Sequence, residues 1–376
     1  MSGIKPEYFV NTLKKLNIDF FCGVPDSLLS GLSGYLLENE TNDHHVITAN
    51  EGNAVGLAIG HYLATGKKAM VYLQNSGLGN AVNPLVSLAD KDVYAIPLLL
   101  VVGWRGEPGF KDEPQHYKQG NITIEQLKLL GIPFFVIDKE TKDEEFNEKI
   151  KFLLKNSTKT IAIVIKKGGI QKYKKQSFCN ASIGILREDA LRCLLDLSRD
   201  ELFISTTGKT SREIFELREL NGNNSKDFLV IGGMGHASSI AQGIAMSDIK
   251  RPIVCLDGDG SLIMHMGAMS TIGKYLNKSL QHIVFNNKSH ESVGGQPTAA
   301  NIMDFEKIAY GCNYKWYAKV DTLHELKKKW IEMKTINGPS MLEIICKVGS
   351  RDDLGRPNLS PQKSKELFME SIKNYD

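Results

Sequence analysis

The sequence predicts an α/β protein with two similar doubly wound parallel-sheet domains and no middle domain. Short runs rich in β-branched and aromatic residues alternate with longer segments of helical periodicity. This alternation occurs in two series, separated by a polar stretch rich in lysine. The length of 376 residues is enough for two domains that each bury a core. Strands that alternate with helices in this way pair as parallel sheets.

The first series predicts a domain over residues 1–168, and a linker follows over 169–184. The linker is predicted because residues 166–176 carry several lysines and few large apolar side chains. The strands of this domain are predicted at 20–24, 45–49, 69–74, 97–103, 134–137 and 160–165. The second series predicts a domain over 185–376, with strands at 202–205, 228–231, 253–256, 283–285, 314–320 and 340–346.

Composition excludes several classes of partner. The net charge is +3 with 24% charged residues, which is too weak and too evenly spread to favour nucleic acid or a membrane surface. The six cysteines form no CxxC pair, which is typical of free thiols in a reducing compartment. The first nine residues have no apolar signal segment, and the longest apolar run, 96–102, is too short to span a bilayer. We therefore expect a cytoplasmic protein.

Two polar motifs follow neighbouring apolar runs in the second half. Gly258-Asp259-Gly260-Ser261 comes after the run 252–256, and Asn286-Asn287 comes after the run 282–285. The segment between them has the pattern of one crossover helix, so both motifs should lie at the same sheet edge. Asp259, Asn287 and a nearby main-chain carbonyl offer oxygen ligands, and the glycines let main-chain amides approach phosphate. The motifs predict a magnesium diphosphate site, and the alternative is two ordinary polar turns.

The spacing of these motifs resembles the signature of the thiamine-diphosphate-dependent decarboxylases. The resemblance implies thiamine diphosphate and Mg²⁺ as cofactors, bound between a pyrimidine-binding domain and a diphosphate-binding domain. Typical members insert a third domain where this chain has only its linker. The resemblance assigns Asp259, Asn287 and the carbonyl of Ser289 to the metal, although many relatives have glycine at the position of Ser289.

Further cofactor contacts are implied by the same resemblance. Residues matched to the cofactor site are Thr207, Gly208, Met234, Gly235, His236, Gly258, Gly260 and Ser261, with Met234 as the wedge between the cofactor rings. Buried core packing is the alternative role for Met234. The loop Gly208-Lys209-Thr210-Ser211 is not a P-loop, because Phe203 stands where that loop requires a glycine.

Glu51 matches the catalytic glutamate of the family. It follows the predicted strand 45–49 and begins a segment with helical periodicity. The resemblance implies that Glu51 hydrogen-bonds the aminopyrimidine of the cofactor and thereby promotes removal of the thiazolium proton. The alternative is that Glu51 only complements the positive end of a helix.

Motifs along nearly the whole chain resemble the branch of the family that decarboxylates 3-phosphonopyruvate. That reaction gives phosphonoacetaldehyde and carbon dioxide and belongs to phosphonate biosynthesis. Asp26 and His116 match positions of catalytic acid and base groups, and Ser27 is a candidate substrate contact. The alternatives are that Asp26 is a turn residue and that His116 is a surface histidine.

The substrate class implies a cationic binding residue. At the position where pyruvate decarboxylases carry a pocket glutamate, this chain has Val293, which suits a substrate that already has two anionic groups. Arginine suits a phosphonate because its donors form a fork. The candidates are Arg105, Lys111, Arg351 and Arg356.

The resemblance also implies the assembly. In the family the two facing domains belong to different subunits, so we expect a homodimer or larger, with the active site at the subunit interface. The expected substrate is a small 2-oxo acid with a second anionic group. Three alternatives stay open: a sulfopyruvate decarboxylase, another 2-oxo acid decarboxylase, and an inactive thiamine-binding subunit.

Overall fold

The chain folds into two α/β units. A computed structural model describes residues 3–174, 183–220, 227–247, 249–276, 278–355, 357 and 359–373. The first unit is Met1–Ser177 with Val293–Gln296, and the second is Phe178–Ser292 with Pro297–Asp376. Residues 175–182 of the predicted linker lie outside the described residues. The predicted fold class is confirmed, because each unit contains a six-stranded parallel sheet with helices.

The first unit has the strand order β2-β1-β3-β4-β6-β5. Its strands are β1 Phe21–Gly23, β2 His45–Ile47, β3 Met70–Gln74, β4 Leu99–Gly103, β5 Phe134–Ile137 and β6 Ile161–Ile165. Its helices are α1 Pro6–Lys15, α2 Ser30–Asn39, α3 Glu51–Thr65, α4 Leu78–Pro84, α5 Pro114–Leu129 and α6 Asp143–Asn156. A 3₁₀ turn, Asn75–Gly77, precedes α4, and a π-helical segment, Leu85–Ala89, follows it.

Burial on both faces explains why the central strands are continuous apolar runs. In β4, Leu100 and Val102 belong to the core on one face of the sheet, and Leu99 and Val101 belong to the core on the other face. All five residues of β4 are buried. A parallel sheet covered by helices on both faces requires apolar side chains at successive positions.

The second unit has the strand order β13-β14-β10-β9-β7-β8. Its sheet strands are β7 Leu202–Ser205, β8 Phe228–Leu229, β9 Ile253–Gly258, β10 Leu280–Asn286, β13 Trp316–Val320 and β14 Pro339–Ile345. Its helices are α7 Arg187–Asp196, α8 Lys209–Leu220, α9 Ala237–Ala245, α10 Asp259–Met264, α11 Ala268–Tyr275, α12 Phe305–Gly311, α13 Leu323–Met333 and α14 Pro361–Lys373. Two short strands, β11 Ser289–His290 and β12 Gln296–Pro297, form a separate small sheet.

The connection between β9 and β10 differs from the prediction. The sequence predicted one crossover helix, whereas the structure has α10 and α11 separated at residues 265–267. His265 ends α10 because its backbone leaves the helical region, at φ −132° and ψ 43°. Its ring lies 4.5 Å from the ring of His236, measured between centroids. The break therefore lets His265 pack against the loop that precedes α9.

Among the described residues, none of the helices combines the length and apolar character that crossing a membrane requires.

Candidate active site

The two motifs of the second unit lie at one edge of its sheet. In the register of β9 and β10, Gly258 pairs with Phe285, so Asp259 and Asn287 follow the ends of adjacent strands. Asp259 and Asn287 both line one pocket in this unit. Ligands of open α/β sheets bind at this edge, beyond the carboxyl ends of the strands.

Asp259 is a buried carboxylate at the start of α10. Its side chain is only 3% exposed, and Oδ2 accepts a hydrogen bond from Thr298 Oγ1. Burial raises the pKa of Asp259 to about 6, although the bonds from Thr298 and from main-chain amides oppose the shift. A bound cation would compensate the charge that burial makes unfavourable.

Asn287 has a fixed amide group. Its Oδ1 accepts a hydrogen bond of 3.0 Å from the main-chain N–H of Ser289, and its Nδ2 donates one of 3.0 Å to Glu291 Oε2. Lys288, between Asn287 and Ser289, has φ of 58°, which turns the chain at this point. Ser289 also lines the pocket.

These residues fit a hard divalent cation. The Asp259 carboxylate, Asn287 Oδ1 and the Ser289 carbonyl are all oxygen donors, which Mg²⁺ prefers. The donor set contains no sulfur or imidazole ligand that would favour a softer metal. We conclude that the side chains at this sheet edge are chemically suited to Mg²⁺.

The loop after β7 lies beside the same pocket. Thr206, Thr207 and Gly208 line it, and Gly208 has φ of 99°, where other residues are strained. Thr206 Oγ1 lies 2.8 Å from Ser261 Oγ. Thr207 Oγ1 donates a hydrogen bond of 2.8 Å to the carbonyl of Ile231. Hydroxyls and exposed main chain at one sheet edge suit an anionic ligand such as a diphosphate.

The segment before α9 contributes Met234 to the pocket. Gly235 has φ of 86°, and its N–H donates a hydrogen bond of 3.0 Å to Ser261 Oγ. A Cβ atom at position 235 would lie 2.6 Å from His265 Cδ2, so the position requires glycine. His236 is exposed and is not among the residues that line the pocket.

A charged network, which we call the Glu291 network, lies beside Asn287. Its members are Arg187, Lys209, Glu213 and Glu291. Arg187 Nε and Nη2 donate hydrogen bonds of 2.7 and 2.8 Å to Glu213, and Nη1 donates one of 3.0 Å to Glu291. Lys209 Nζ lies 2.6 Å from Glu291 Oε1. Burial opposes ionisation of Glu291, but the bond from Lys209 and the charge of Arg187 lower its pKa overall.

Sequence reasoning missed the Glu291 network. Lys209 follows Gly208 in the predicted cofactor loop, and Glu291 lies four positions after Asn287, so both could have been suspected. Nothing in the sequence pointed to Arg187, because its contact with Glu291 joins residues 104 positions apart.

Glu51 lies in the first unit, at the start of α3. Its side chain is 5% exposed, and Oε2 accepts a hydrogen bond of 2.7 Å from Asn80 Nδ2. The carboxylate packs directly on Gly77, where a Cβ atom would lie 2.2 Å from Glu51 Oε1. Gly77 and Asn80 thus determine where this carboxylate lies.

Asp26 is fully buried after β1 and packs on Gly103. A Cβ atom at position 103 would lie 2.2 Å from Asp26 Oδ2, which also accepts a hydrogen bond of 2.9 Å from the N–H of Leu28. Within the described residues, Asp26 Oδ1 has no hydrogen-bond partner. Burial raises the pKa of Asp26 to about 6, although the charge of Arg105 opposes the shift.

Arg105 connects the other predicted residues of this unit. Its Nη1 donates a hydrogen bond of 3.0 Å to Ser27 Oγ, and its Nε donates one of 2.8 Å to Asp112 Oδ2. His116 is partly buried, and burial together with the charge of Arg105 lowers its pKa to about 4. The structure therefore brings Asp26, Ser27, Arg105 and His116 together within the first unit.

Two of the remaining predicted cations, Lys111 and Arg351, do not join either group. Lys111 is exposed in the loop before α5. Arg351 is 41% exposed and forms ion pairs with three carboxylates, those of Glu188, Glu216 and Asp353. Arg351 is not among the pocket-lining residues. Arg356 lies outside the described residues.

Two family models match the chain, one in each unit. Residues 6–129 match the N-terminal TPP binding domain of thiamine pyrophosphate enzymes, and residues 207–344 match the C-terminal TPP binding domain. Together these matches span most of the chain.

Curated relatives match almost end to end. A phosphonopyruvate decarboxylase from Streptomyces viridochromogenes is 32% identical over 376 residues, covering 95% of this chain and 92% of that protein. A phosphonopyruvate decarboxylase from Streptomyces hygroscopicus is 30% identical over 377 residues, covering 95% and 91%. A sulfopyruvate decarboxylase from Methanosarcina acetivorans is 27% identical over 388 residues, covering 97% of both chains.

Proposed function

The chain belongs to the thiamine pyrophosphate enzymes as one of their decarboxylases, and we propose that it converts 3-phosphonopyruvate to phosphonoacetaldehyde and carbon dioxide. The observation that carries this proposal is its similarity to two phosphonopyruvate decarboxylases along 95% of its length, at 30% identity or more. We further propose that the reaction serves phosphonate biosynthesis in the cytoplasm. The absence of CxxC pairs among its cysteines supports a reducing compartment.

We propose that the second unit holds the diphosphate end of the cofactor. Thiamine diphosphate, when bound, supplies the electron sink for the electron pair that departing carbon dioxide leaves behind. Asp259, Asn287 and the Ser289 carbonyl would hold Mg²⁺. The residues proposed to contact the rest of the cofactor are Thr207, Gly208, Met234, Gly235, His236, Gly258, Gly260 and Ser261. All of these residues except Gly235 and His236 line the pocket.

Glu51 is the proposed catalytic carboxylate of the first unit. Its carboxyl group would hydrogen-bond the far ring nitrogen of the aminopyrimidine, which is an acceptor in the amino form, and would supply the proton that the imino tautomer needs. The contacts with Gly77 and Asn80 support this role, because they hold the carboxylate in one position.

Asp26 and His116 are the proposed acid and base groups. A pKa of about 6 lets Asp26 exchange a proton near neutral pH, which suits a general acid. The pKa of about 4 keeps His116 neutral at pH 7, so it can accept a proton. Both side chains lie close enough to Arg105 for its charge to affect their pKa values.

Arg105 is the proposed anchor of the phosphonate. Its guanidinium is held by Asp112, and its Nη1 is directed to Ser27 Oγ, so a phosphonate could bind to Nη1 and to the Ser27 hydroxyl. A phosphonate at Arg351 would compete with the three carboxylates that already pair with its guanidinium.

Two copies of the chain are proposed to form each active site. In this arrangement Glu51 of one copy acts with Asp259 of another, as the family resemblance implies. The protein would then be a homodimer or a larger homo-oligomer.

Sulfopyruvate is the second candidate substrate. The Methanosarcina relative is a sulfopyruvate decarboxylase that matches this chain along 97% of both lengths. A single fused chain therefore does not distinguish the two substrates. Both are 2-oxo acids with a second anionic group, and the Arg105 site could bind either.

The test compares kcat/KM for phosphonopyruvate, sulfopyruvate and pyruvate with the purified protein, thiamine diphosphate and Mg²⁺. We expect phosphonopyruvate to be preferred by at least about tenfold, because a site built for a particular anion discriminates by its hydrogen bonds. Arg105→Ala should raise KM for phosphonopyruvate by about tenfold or more. Lys111→Ala, an exposed cation on the same loop, is the control and should leave KM unchanged. Preference for sulfopyruvate or pyruvate would overturn the substrate assignment.

A further inference from the structure

We infer that Glu291 is a positioning residue that orients the amide of Asn287 so that its oxygen faces the divalent cation. The inference rests on the proposed function, because it concerns the metal of that site. Its basis is the hydrogen bond of 3.0 Å from Asn287 Nδ2 to Glu291 Oε2. Glu291 is not among the residues that the family signature assigns to the cofactor.

An asparagine side chain needs such orientation because its two ends have opposite chemistry. The oxygen can bind a metal, and the NH₂ group cannot. Glu291 can only accept hydrogen bonds as a carboxylate, so it binds the NH₂ end of Asn287. The main-chain N–H of Ser289 can only donate, and it binds the oxygen end at 3.0 Å. Two independent partners therefore impose the same orientation and leave the second lone pair of Oδ1 for a cation.

The Glu291 carboxylate is itself fixed in place. Lys209 Nζ lies 2.6 Å from Oε1, and Arg187 Nη1 lies 3.0 Å from Oε2. Its side chain is only 10% exposed. A carboxylate held by two cations cannot rotate freely. The orientation of Asn287 requires such a fixed hydrogen-bond acceptor.

The same two cations make an extra carboxylate tolerable near a diphosphate. Arg187 and Lys209 carry two positive charges, and Glu213 and Glu291 carry two negative charges, so the Glu291 network is neutral as a whole. An unpaired carboxylate at this position would repel the diphosphate. Arg187 and Lys209 thus allow Glu291 to bind Asn287 without repelling the cofactor.

The test measures metal affinity directly, with Mn²⁺ as a paramagnetic substitute for Mg²⁺. The dissociation constant of Mn²⁺ is measured by electron paramagnetic resonance in the presence of saturating thiamine diphosphate. Glu291→Ala should weaken Mn²⁺ binding by about tenfold or more, because Asn287 loses the partner that orients it. Glu291→Gln should weaken it by less than about threefold, since its carboxamide oxygen still accepts a hydrogen bond.

A second background separates orientation from general structural support. In Asn287→Asp both ends of the side chain are oxygens, so either end can bind the cation and no orientation is needed. Glu291 then only repels the new carboxylate at position 287. Adding Glu291→Ala to Asn287→Asp should therefore leave Mn²⁺ affinity unchanged or increase it. A merely structural role would weaken binding in both backgrounds.

The control is Glu188→Ala, which removes a carboxylate paired with Arg192 and Arg351 and has no described contact with Asn287. The melting temperature of each cofactor-free variant checks that it folds. Equal Mn²⁺ affinity of wild type and Glu291→Ala, or equal losses in both backgrounds, would overturn the inference. A wild-type protein that binds neither Mn²⁺ nor thiamine diphosphate would instead refute the proposed function.

Discussion

Gly77 is the residue that most directly limits where Glu51 can lie. The carboxylate of Glu51 occupies the space that a side chain at position 77 would need. The backbone at Gly77 is not in the left-handed region, so the requirement for glycine is steric. Glycine is therefore needed at position 77 to make room for the Glu51 carboxylate, and the backbone conformation of the turn does not itself require it.

Gly77→Ala should therefore impair catalysis more than folding. The added Cβ would lie 2.2 Å from Glu51 Oε1, so the carboxylate must move. We expect kcat to fall by at least about tenfold, because a displaced catalytic group loses its alignment. Gly79→Ala is the matched control, since a Cβ there meets nothing within 4 Å. Equal activity of the two variants would show that the position of Glu51 does not matter for turnover.

The buried carboxyl of Asp26 should make stability depend on pH. Its pKa is about 6 in the folded protein and near 3.8 when unfolded, so the folded state binds more protons between these values. Stability from this group is therefore present below about pH 4 and is lost as the pH rises to about 6. The loss is at most about 3 kcal/mol.

Asp26→Asn cannot ionise and should escape that loss. The melting temperature of the variant, relative to wild type, should be higher at pH 7.5 than at pH 4.5. Asp138→Asn is the control and should show the same relative melting temperature at both pH values, because a hydrogen bond from Thr141 lowers the pKa of Asp138 and its titration therefore lies below pH 4.5. The same relative stability of Asp26→Asn at both pH values would mean that Asp26 ionises normally in the folded protein.

At the residue scale, motifs identified groups with distinctive chemistry and spacing. Asp259 and Asn287 were predicted because they follow strands that meet at one sheet edge. Gly77 and Glu291 were missed because their importance comes from contacts across the fold, with Glu51 and Asn287. A glycine or a glutamate in a polar loop has no feature in the sequence that reveals such a contact.

At the scale of elements, helix α3 begins at Glu51, directly after its N-cap residue Asn50. Asn50 Oδ1 accepts a hydrogen bond of 2.9 Å from the N–H of Asn53, which is a helix N-cap. The helix ends at Gly66, whose φ of 70° suits glycine. The cap stabilises the helix and determines where its first residue lies.

Asn50→Ala should reduce both stability and activity. Loss of the cap should cost about 1 kcal/mol, or a few degrees in melting temperature. Activity should also fall, because Glu51 lies directly beside the cap. Thr322→Ala removes the equivalent cap of α13 and is the control. It should lower the melting temperature similarly and leave kcat unchanged. Equal activity losses in the two variants would contradict a specific role for the Asn50 cap.

The elements themselves were largely predictable. Each predicted strand run overlaps a strand of the structure, because buried parallel strands are continuous apolar runs. The break between α10 and α11 was not predicted, because it coincides with the contact between His265 and His236, which lie 29 positions apart in the sequence. The short strands β11 and β12 were missed because two-residue strands have no hydrophobic period.

At the scale of the whole molecule, the two units carry different parts of the proposed chemistry. Glu51, Asp26, Arg105 and His116 belong to the first unit, whereas Asp259 and Asn287 belong to the second. The sequence predicted two units of similar architecture from the repeated alternation of strands and helices. The domain limits and the pairing of units between copies stay predictions.

Mixing two inactive variants tests the assembly. Glu51→Gln and Asp259→Asn should each be inactive alone. In a mixed dimer whose sites are shared between copies, one site contains both wild-type residues. After random exchange about half of the dimers are mixed, and each mixed dimer has one intact site of two. The mixture should therefore recover about a quarter of wild-type activity. No recovery after verified exchange would indicate that each copy forms its own site. Asp26→Asn mixed with Glu51→Gln is the control and should not recover, because both residues lie in the same unit.

The most direct test of the proposed reaction follows phosphonopyruvate by ³¹P NMR in the presence of the purified protein. We expect the phosphonopyruvate signal to be replaced by that of phosphonoacetaldehyde, with release of carbon dioxide, only when thiamine diphosphate and Mg²⁺ are both present. Asp259→Asn should abolish the conversion. Conversion without the cofactor, or no conversion while another 2-oxo acid is decarboxylated, would contradict the proposed function.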